Sequence, residues 1–258
     1  MSKKEDRRNK IISIIKENNG ASVKELATKL DVSDMTIRRD IRILEEQNIV
    51  ETFHGAIVYN SKIDNPINED KYSLDSHLLI KDREKFLIGQ KAASMIKEDD
   101  IIIIDTGTTT EKLSQAMDDI KCTALVFSSN NLINLLFKKN IDLIIGGGNL
   151  HRDSGMMESN QSIEMMKNIR ASKLFLSAAG VHKDLGITCE NSYELNSKKI
   201  IIRNSLEVIL LADSSKFGAV KSTHFADLSE IDTIISDKNL SDEWQDYLKE
   251  MDIKLILV

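Results

Sequence analysis

The chain is poor in several things that would otherwise steer its interpretation. It has one proline, two cysteines and five histidines in 258 residues, and no run of eighteen apolar residues. Without such a run there is no candidate for a membrane-spanning helix. Cys122 and Cys189 lack the paired spacing of a zinc site, and no H-x-x-x-H pattern occurs, so neither metal nor cofactor is expected and both thiols are expected buried and reduced. There is no G-x-x-x-x-G-K-[ST] and no G-x-G-x-x-G, which excludes the usual P-loop and dinucleotide fingerprints. The opening MSKKEDRRNKII is charged and has no signal-type apolar core, so a cytoplasmic location is expected.

What is present suits a folded protein: 41% apolar and 29% charged residues. The net charge of −6 is unevenly placed. Residues 1–60 carry 11 Lys/Arg against 10 Asp/Glu, and the rest carry 24 against 31. An acidic total leaves room for a local basic face, because salt screens charge beyond roughly 8–10 Å.

The first sixty residues read as short helices. Ile11, Ile12, Ile14 and Ile15 give an apolar face to a helix over 7–18. Ser22 and Glu25 have capping-box spacing and open a short helix that buries Leu26, Ala27 and Leu30. After a turn at Asp31-Val32, Ser33 caps a third helix running to about Gln47. On a helical wheel Ile37, Ile41 and Leu44 share the inner side, while Met35, Arg38, Arg39 and Arg42 point away from it. Ile49–Phe53 and Ala56–Tyr59 flank His54-Gly55 and predict a hairpin. The order is that of a winged helix-turn-helix. Ser33, Met35, Thr36, Arg38, Arg39 and Arg42, with His54 at the wing tip, are the candidate contacts to double-stranded DNA. Asp40 and Glu46 are expected to limit non-specific affinity, with Asp40 orienting an arginine.

Residues 60–76 are polar and hold Pro66, the sole proline, which marks a linker between domains 1–59 and 77–258. A helix follows, with Phe86, Leu87, Ala92, Ala93, Met95 and Ile96 expected on its buried side. From Ile101 onward, apolar runs alternate with helical stretches. That rhythm predicts an α/β domain with a mainly parallel sheet covered on both faces. Ligands of such sheets bind beyond the carboxyl ends of strands. Those ends carry Asp105-Thr106-Gly107-Thr108-Thr109, Ser128-Ser129, Gly146-Gly147 and Asp213-Ser214-Ser215-Lys216. Small hydroxyl residues before a helix, with a lysine nearby, suit a phosphate.

These residues together resemble the DeoR family of bacterial transcriptional regulators. The resemblance runs through Arg7, Ile11, Ile15 and Ser33–Ile41, the wing His54-Gly55-Ala56, and then Lys85, Asp105–Thr109, Gly146-Gly147, Gly186–Thr188 and Asp213–Gly218. It implies a repressor of a sugar-utilisation operon whose sensor domain is similar in fold to ribose-5-phosphate isomerase and binds a phosphorylated sugar. It also implies a homo-oligomer, a dimer or tetramer. The implied effector site comprises Lys85, Asp105, Thr106, Gly107, Thr108, Thr109, Ser128, Ser129, Gly146, Gly147, Asp213 and Lys216. Two other functions fit the residues: a constitutive DNA-binding protein with a vestigial pocket, and a sugar-phosphate isomerase using Asp105, Asp213, Glu158 and Lys216.

Overall fold

The computed structural model describes residues 3–17, 21–46, 49–53, 56–59 and 81–258. The chain divides into two compact units, residues 1–71 and 72–258. The expected linker, 60–76, and the wing tip at His54-Gly55 lie outside the described residues.

The first unit contains α1 (Lys3–Glu17), β1 (Ala21–Ser22), α2 (Val23–Leu30), α3 (Asp34–Glu46), β2 (Val50–Phe53) and β3 (Ala56–Tyr59). Ile11, Ile15, Leu26, Ile37, Ile41, Leu44, Val50 and Ile57 form its core. The capping box of α2 is complete: Glu25 N–H donates to Ser22 Oγ at 3.2 Å and Ser22 N–H donates to Glu25 Oε2 at 2.7 Å. Asp31 then takes a left-handed conformation, φ 53°, and turns the chain into α3. Thr36 N–H donates to Ser33 Oγ at 3.3 Å, which caps α3 as expected. The hairpin β2–β3 is antiparallel, and the two-residue β1 adds to it in the order β1-β3-β2. That extra strand has too few residues to leave a period-2 pattern in the sequence.

The second unit opens with α4 (Asp82–Ala93). Then come β4 (Ile101–Ile104), α5 (Thr108–Ala116), β5 (Cys122–Val126), α6 (Ser129–Leu135) and β6 (Ile141–Ile145). A hairpin of β7 (Asn149–His151) and β8 (Met156–Glu158) precedes α7 (Asn160–Asn168) and β9 (Ala171–Ser177). The remaining elements are β10 (Gly180–His182), β11 (Gly186–Cys189), α8 (Leu195–Arg203), β12 (Ser205–Leu211), β13 (Thr223–Ala226), β14 (Thr233–Ser236), α9 (Asp242–Glu250) and β15 (Lys254–Leu257). The main sheet has seven parallel strands in the order β15-β14-β12-β9-β4-β5-β6. One face packs Ile102, Ile104, Val126, Phe175 and Leu211 against Ile88, Leu113 and Leu135 of α4, α5 and α6. The other packs Ile103, Leu125, Leu174 and Leu210 against Met166, Ile201 and Leu248 of α7, α8 and α9. The mainly parallel sheet with two covered faces is as expected.

Three details differ from expectation. The antiparallel sheet β10-β11-β13 and the β7–β8 hairpin were not expected; their strands have three or four residues and sit among turns. On α4, Phe86 is 44% exposed, while Lys85, Ile88, Gly89 and Ala92 are buried. The helix face is therefore rotated from the one its large apolar residues suggest. Asp40, expected to limit non-specific DNA affinity and to orient an arginine, is 2% exposed and faces inward.

Candidate functional site

The first unit presents one polar helix face. Met35 is 72% exposed, and Arg38, Arg39 and Arg42 are all exposed on α3. Ser33 is exposed and Thr36 half-buried at the start of that helix, their hydroxyls 2.9 Å apart. The opposite face is anchored by an ion cluster. Asp40 lies between Ile37 and Leu44 on the buried side and accepts from Arg7 Nε at 2.6 Å and Arg8 Nε at 3.3 Å. Asp40 thus fixes α3 to α1 rather than restraining DNA affinity at the surface. A carboxylate inside a buried stripe needs such partners, because burying it unpaired is expensive.

In the second unit the site lies where strand order reverses. From β4 the chain moves to β5 and β6 on one side, then returns to β9 on the other. The crevice between the ends of β4 and β9 is the place where open parallel sheets bind ligands. Thr106, Gly107, Thr108 and Thr109 line one wall of a pocket there, with Ser177, Ala178 and Ala179 opposite. Cys189, Glu190, Glu194 and Lys198 contribute further lining, and Lys216 reaches it from the turn after β12. The two strand ends are tightly tied. Ser177 N–H and Oγ both donate to Asp105 Oδ2 at 2.9 Å, and Ser177 Oγ lies 2.6 Å from the Thr106 carbonyl. A side chain at position 107 would put Cβ 2.7 Å from Ser177 Cβ, so only glycine permits this approach.

The floor is a buried ion cluster. Lys198 Nζ donates to Asp105 Oδ2 at 2.5 Å and sits 3.5 Å from Glu194 Oε2; both of the Lys198 and Asp105 side chains are at most 2% exposed. Burial by itself would depress the Lys198 ammonium, but Asp105 and Glu194 outweigh it and hold the group above the ordinary lysine range. Burial raises Glu194, partly offset by Lys198. The Cys189 thiol is pushed up to about 12 by burial, so it stays protonated. Above this floor, Thr106 Oγ1 is buried with no hydrogen-bond partner in the protein. It sits one residue before the N-cap of α5, where backbone N–H groups lack helical acceptors. A hydroxyl, a helix N-terminus and the Lys216 ammonium on one pocket suit an anionic oxygen cluster.

Of the effector residues expected from the sequence, Thr106–Thr109 and Lys216 share this pocket. The others do not line it. Asp105 lies beneath: its Oδ2 accepts from Lys198 and Ser177, and its Oδ1 is buried without a hydrogen-bond partner. Lys85 and Asp213 are each 1% exposed and are not among the residues lining the pocket. Ser128 bridges to Met156 and Ser129 N–H donates to the Gly155 carbonyl at 2.8 Å, so both serve the β7–β8 hairpin. Gly146 N–H donates to Val126 at 2.8 Å and the Gly147 carbonyl accepts from Ser159 Oγ at 2.9 Å, which makes the double glycine a packing turn. The acid-base set considered for an isomerase is not gathered either: of Asp105, Asp213, Glu158 and Lys216, the pocket is lined by Lys216 alone. Ser177–Ala179, Glu194 and Lys198 were missed. The rule of examining strand ends points to the first group once applied to the end of β9. The i,i+4 pair Glu194/Lys198 within an expected helix points to the second.

Comparison with known proteins agrees with both units. The DeoR-like helix-turn-helix domain matches residues 7–63, and the DeoR C terminal sensor domain matches residues 80–238. The HTH-type transcriptional repressor GlcR of Bacillus subtilis is 30% identical over 254 residues, covering 98% of this chain and 96% of its own. The deoxyribose operon repressor of Escherichia coli is 29% identical over 262 residues, covering 99% of each chain. Among solved structures, ribose 5-phosphate isomerase A of Methanocaldococcus jannaschii overlaps 52% of this chain and 53% of its own at 15% identity and a TM-score of 0.38, too slight to bear on activity. Two domain matches in register with the two folded units, and relatives aligned from end to end, place this chain in the DeoR family of helix-turn-helix transcriptional regulators.

Proposed function

We propose that the chain represses a sugar-utilisation operon, and that a phosphorylated sugar held between β4 and β9 sets its grip on DNA. The observation that carries the ligand class is the unpartnered Thr106 Oγ1 at the start of α5, on the same pocket as Lys216. A phosphate group supplies acceptors for the hydroxyl and the free N–H groups, and charge for the lysine. The relative named as a deoxyribose operon repressor supports the link to sugar genes, and the one named as a glycerol-3-phosphate regulon repressor supports a phosphorylated metabolite. On the DNA side, Arg38, Arg39 and Arg42, with Ser33, Met35 and Thr36, form the contact face; His54, a further contact expected from the sequence, lies outside the described residues. One recognition helix spans only a few base pairs, so two copies on a repeated site are the natural arrangement.

Trp244, the sole tryptophan, offers a direct test. Its ring meets Phe217 at 5.2 Å between centroids, and Phe217 follows Lys216 in the chain. Titration of the full chain with phosphorylated sugars is expected to change Trp244 emission saturably, whereas the same sugars without phosphate leave it unchanged. Lys216→Ala should weaken the response about tenfold or more, the loss of one charge-assisted contact worth roughly 1.5–3 kcal/mol. Equal responses to phosphorylated and free sugars would contradict the ligand class.

A further inference from the structure

The pocket between β4 and β9 holds groups of two opposed kinds. The unpartnered Thr106 hydroxyl, the start of α5 and Lys216 attract an anion. Two carboxylates, Glu190 and Glu194, nevertheless line the same pocket. A carboxylate beside an anion weakens its binding, so a carboxylate there calls for a separate role. Glu190 is accounted for, because its Oε1 lies 2.8 Å from Lys221 Nζ. Glu194 is left. We propose that Glu194 accepts a hydrogen bond from a hydroxyl of the bound molecule, and that the pocket thereby selects a polyhydroxylated phosphate ester over a phosphate ester without hydroxyls. This rests on the anion pocket proposed above and deepens it by assigning the sugar end.

Three observations carry the inference. First, Glu194 is 7% exposed and sits on the pocket wall. A buried carboxylate needs donors, and its two oxygens offer about four acceptor sites. Second, the protein fills few of these. Among the described residues, Asn191 Nδ2 donates to Oε1 at 3.0 Å, while Oε2 has only Lys198 Nζ at 3.5 Å. That ammonium is largely committed elsewhere. It donates to Asp105 Oδ2 at 2.5 Å and to the Ser177 carbonyl at 3.1 Å, and Ser177 Oγ stands at 3.4 Å. Lys198 thus supplies Glu194 with charge and a long contact, well beyond the roughly 2.7–2.9 Å of a strong charge-assisted bond. Third, the adjoining side chains bring no rival donor. Ala178 and Ala179 have none to give. Ser177 Oγ is spent on Asp105 and on the Thr106 carbonyl, and Cys189 Sγ is turned to the Asn191 and Thr223 carbonyls. A ligand hydroxyl supplies the missing donor.

The test is calorimetry on the full chain at about pH 8, where phosphate monoesters are dianions. Methyl phosphate then has acceptors and no donor. It is compared with esters that carry hydroxyls: glycerol 3-phosphate, ribose 5-phosphate, glucose 6-phosphate and fructose 6-phosphate. Wild type should bind at least one of these about tenfold or more tighter than methyl phosphate, the worth of one hydrogen bond to a charged group. Glu194→Met removes the acceptor and the negative charge together. It should bind methyl phosphate as tightly as wild type or more tightly, while the preferred ester loses about tenfold. Opposite responses of the two ligands are the signature, since a merely structural role for Glu194 weakens both alike. Glu194→Asp keeps a charge for Lys198 but withdraws the oxygens by one methylene, and should lose most of the same preference. It serves if Glu194→Met fails to fold, which circular dichroism would reveal, and the wild-type comparison needs no variant. A folded Glu194→Met or Glu194→Asp protein that keeps the wild-type preference overturns the proposal. So does wild type that binds methyl phosphate as tightly as every hydroxyl-bearing ester. No binding of any of these probes contradicts the pocket itself, and the role of Glu194 with it.

Discussion

Single residues account for how this chain keeps charge inside itself. Lys198 is the clearest case. Its ammonium is sealed between Asp105 and Glu194, and those two carboxylates outweigh the penalty of burial. Removing one partner of such a pair leaves a buried charge uncompensated, so Lys198→Met should destabilise the sensor unit by about 3–5 kcal/mol, measured by urea unfolding. The sign with pH follows from the direction of the shift. A lysine raised on folding stabilises fully below its unfolded pKa and loses that contribution only as pH rises through the folded one. The Lys198 contribution should therefore be intact at neutral pH and decline only in strong alkali. Asp40 repeats the pattern in the DNA-binding unit, where Asp40→Ala should cost a similar amount by leaving Arg7 and Arg8 without their acceptor. Asp40 was legible in principle: three residues from Ile37 and four before Leu44, it falls inside the apolar stripe. The wheel that placed the arginines outside places this acid inside, and a buried acid requires partners.

At the scale of elements, local chemistry decided how much the sequence could tell. Helices with caps and a clean stripe were readable, α2 through Ser22/Glu25 and α3 through Ser33 with Ile37, Ile41 and Leu44. Long apolar strands were readable because burial on both faces leaves a continuous signal. The face of α4 was not, because its inward position is held by Lys85 and Gly89 rather than by Phe86. No periodicity reports a lysine on the buried side of a helix. The pocket was half legible for the same reason. The loop after β4 announces itself, whereas Ser177 and Lys198 enter through tertiary contacts to Asp105. For α3, the exposed arginines predict a specific outcome. Replacing Arg38 or Arg39 by alanine should weaken DNA binding and, where the lost contact is to a phosphate, lower the slope of log affinity against log salt by about 1. Ser22→Ala, on the capping box of α2, should cost about 1 kcal/mol of stability in the same unit, visible in its melting temperature.

The whole molecule joins a DNA-reading unit to a sensor unit in one chain, and regulation requires a free-energy link between them. Typical couplings of about 1–3 kcal/mol change affinity roughly 5- to 150-fold, and the link works equally in both directions. The charge distribution fits this division: the acidic excess lies beyond residue 60, leaving the α3 face to meet a polyanion. The most direct test is fluorescence anisotropy of the full chain on DNA from upstream of its own gene, at fixed salt, with and without phosphorylated sugars. The account predicts that the chain binds this DNA and that at least one phosphorylated sugar changes the affinity at least fivefold. It also predicts that the Lys216→Ala protein needs about tenfold more of the same sugar, or still more, for the same change. An affinity indifferent to every phosphorylated sugar, or a Lys216→Ala protein that responds as wild type does, would contradict it.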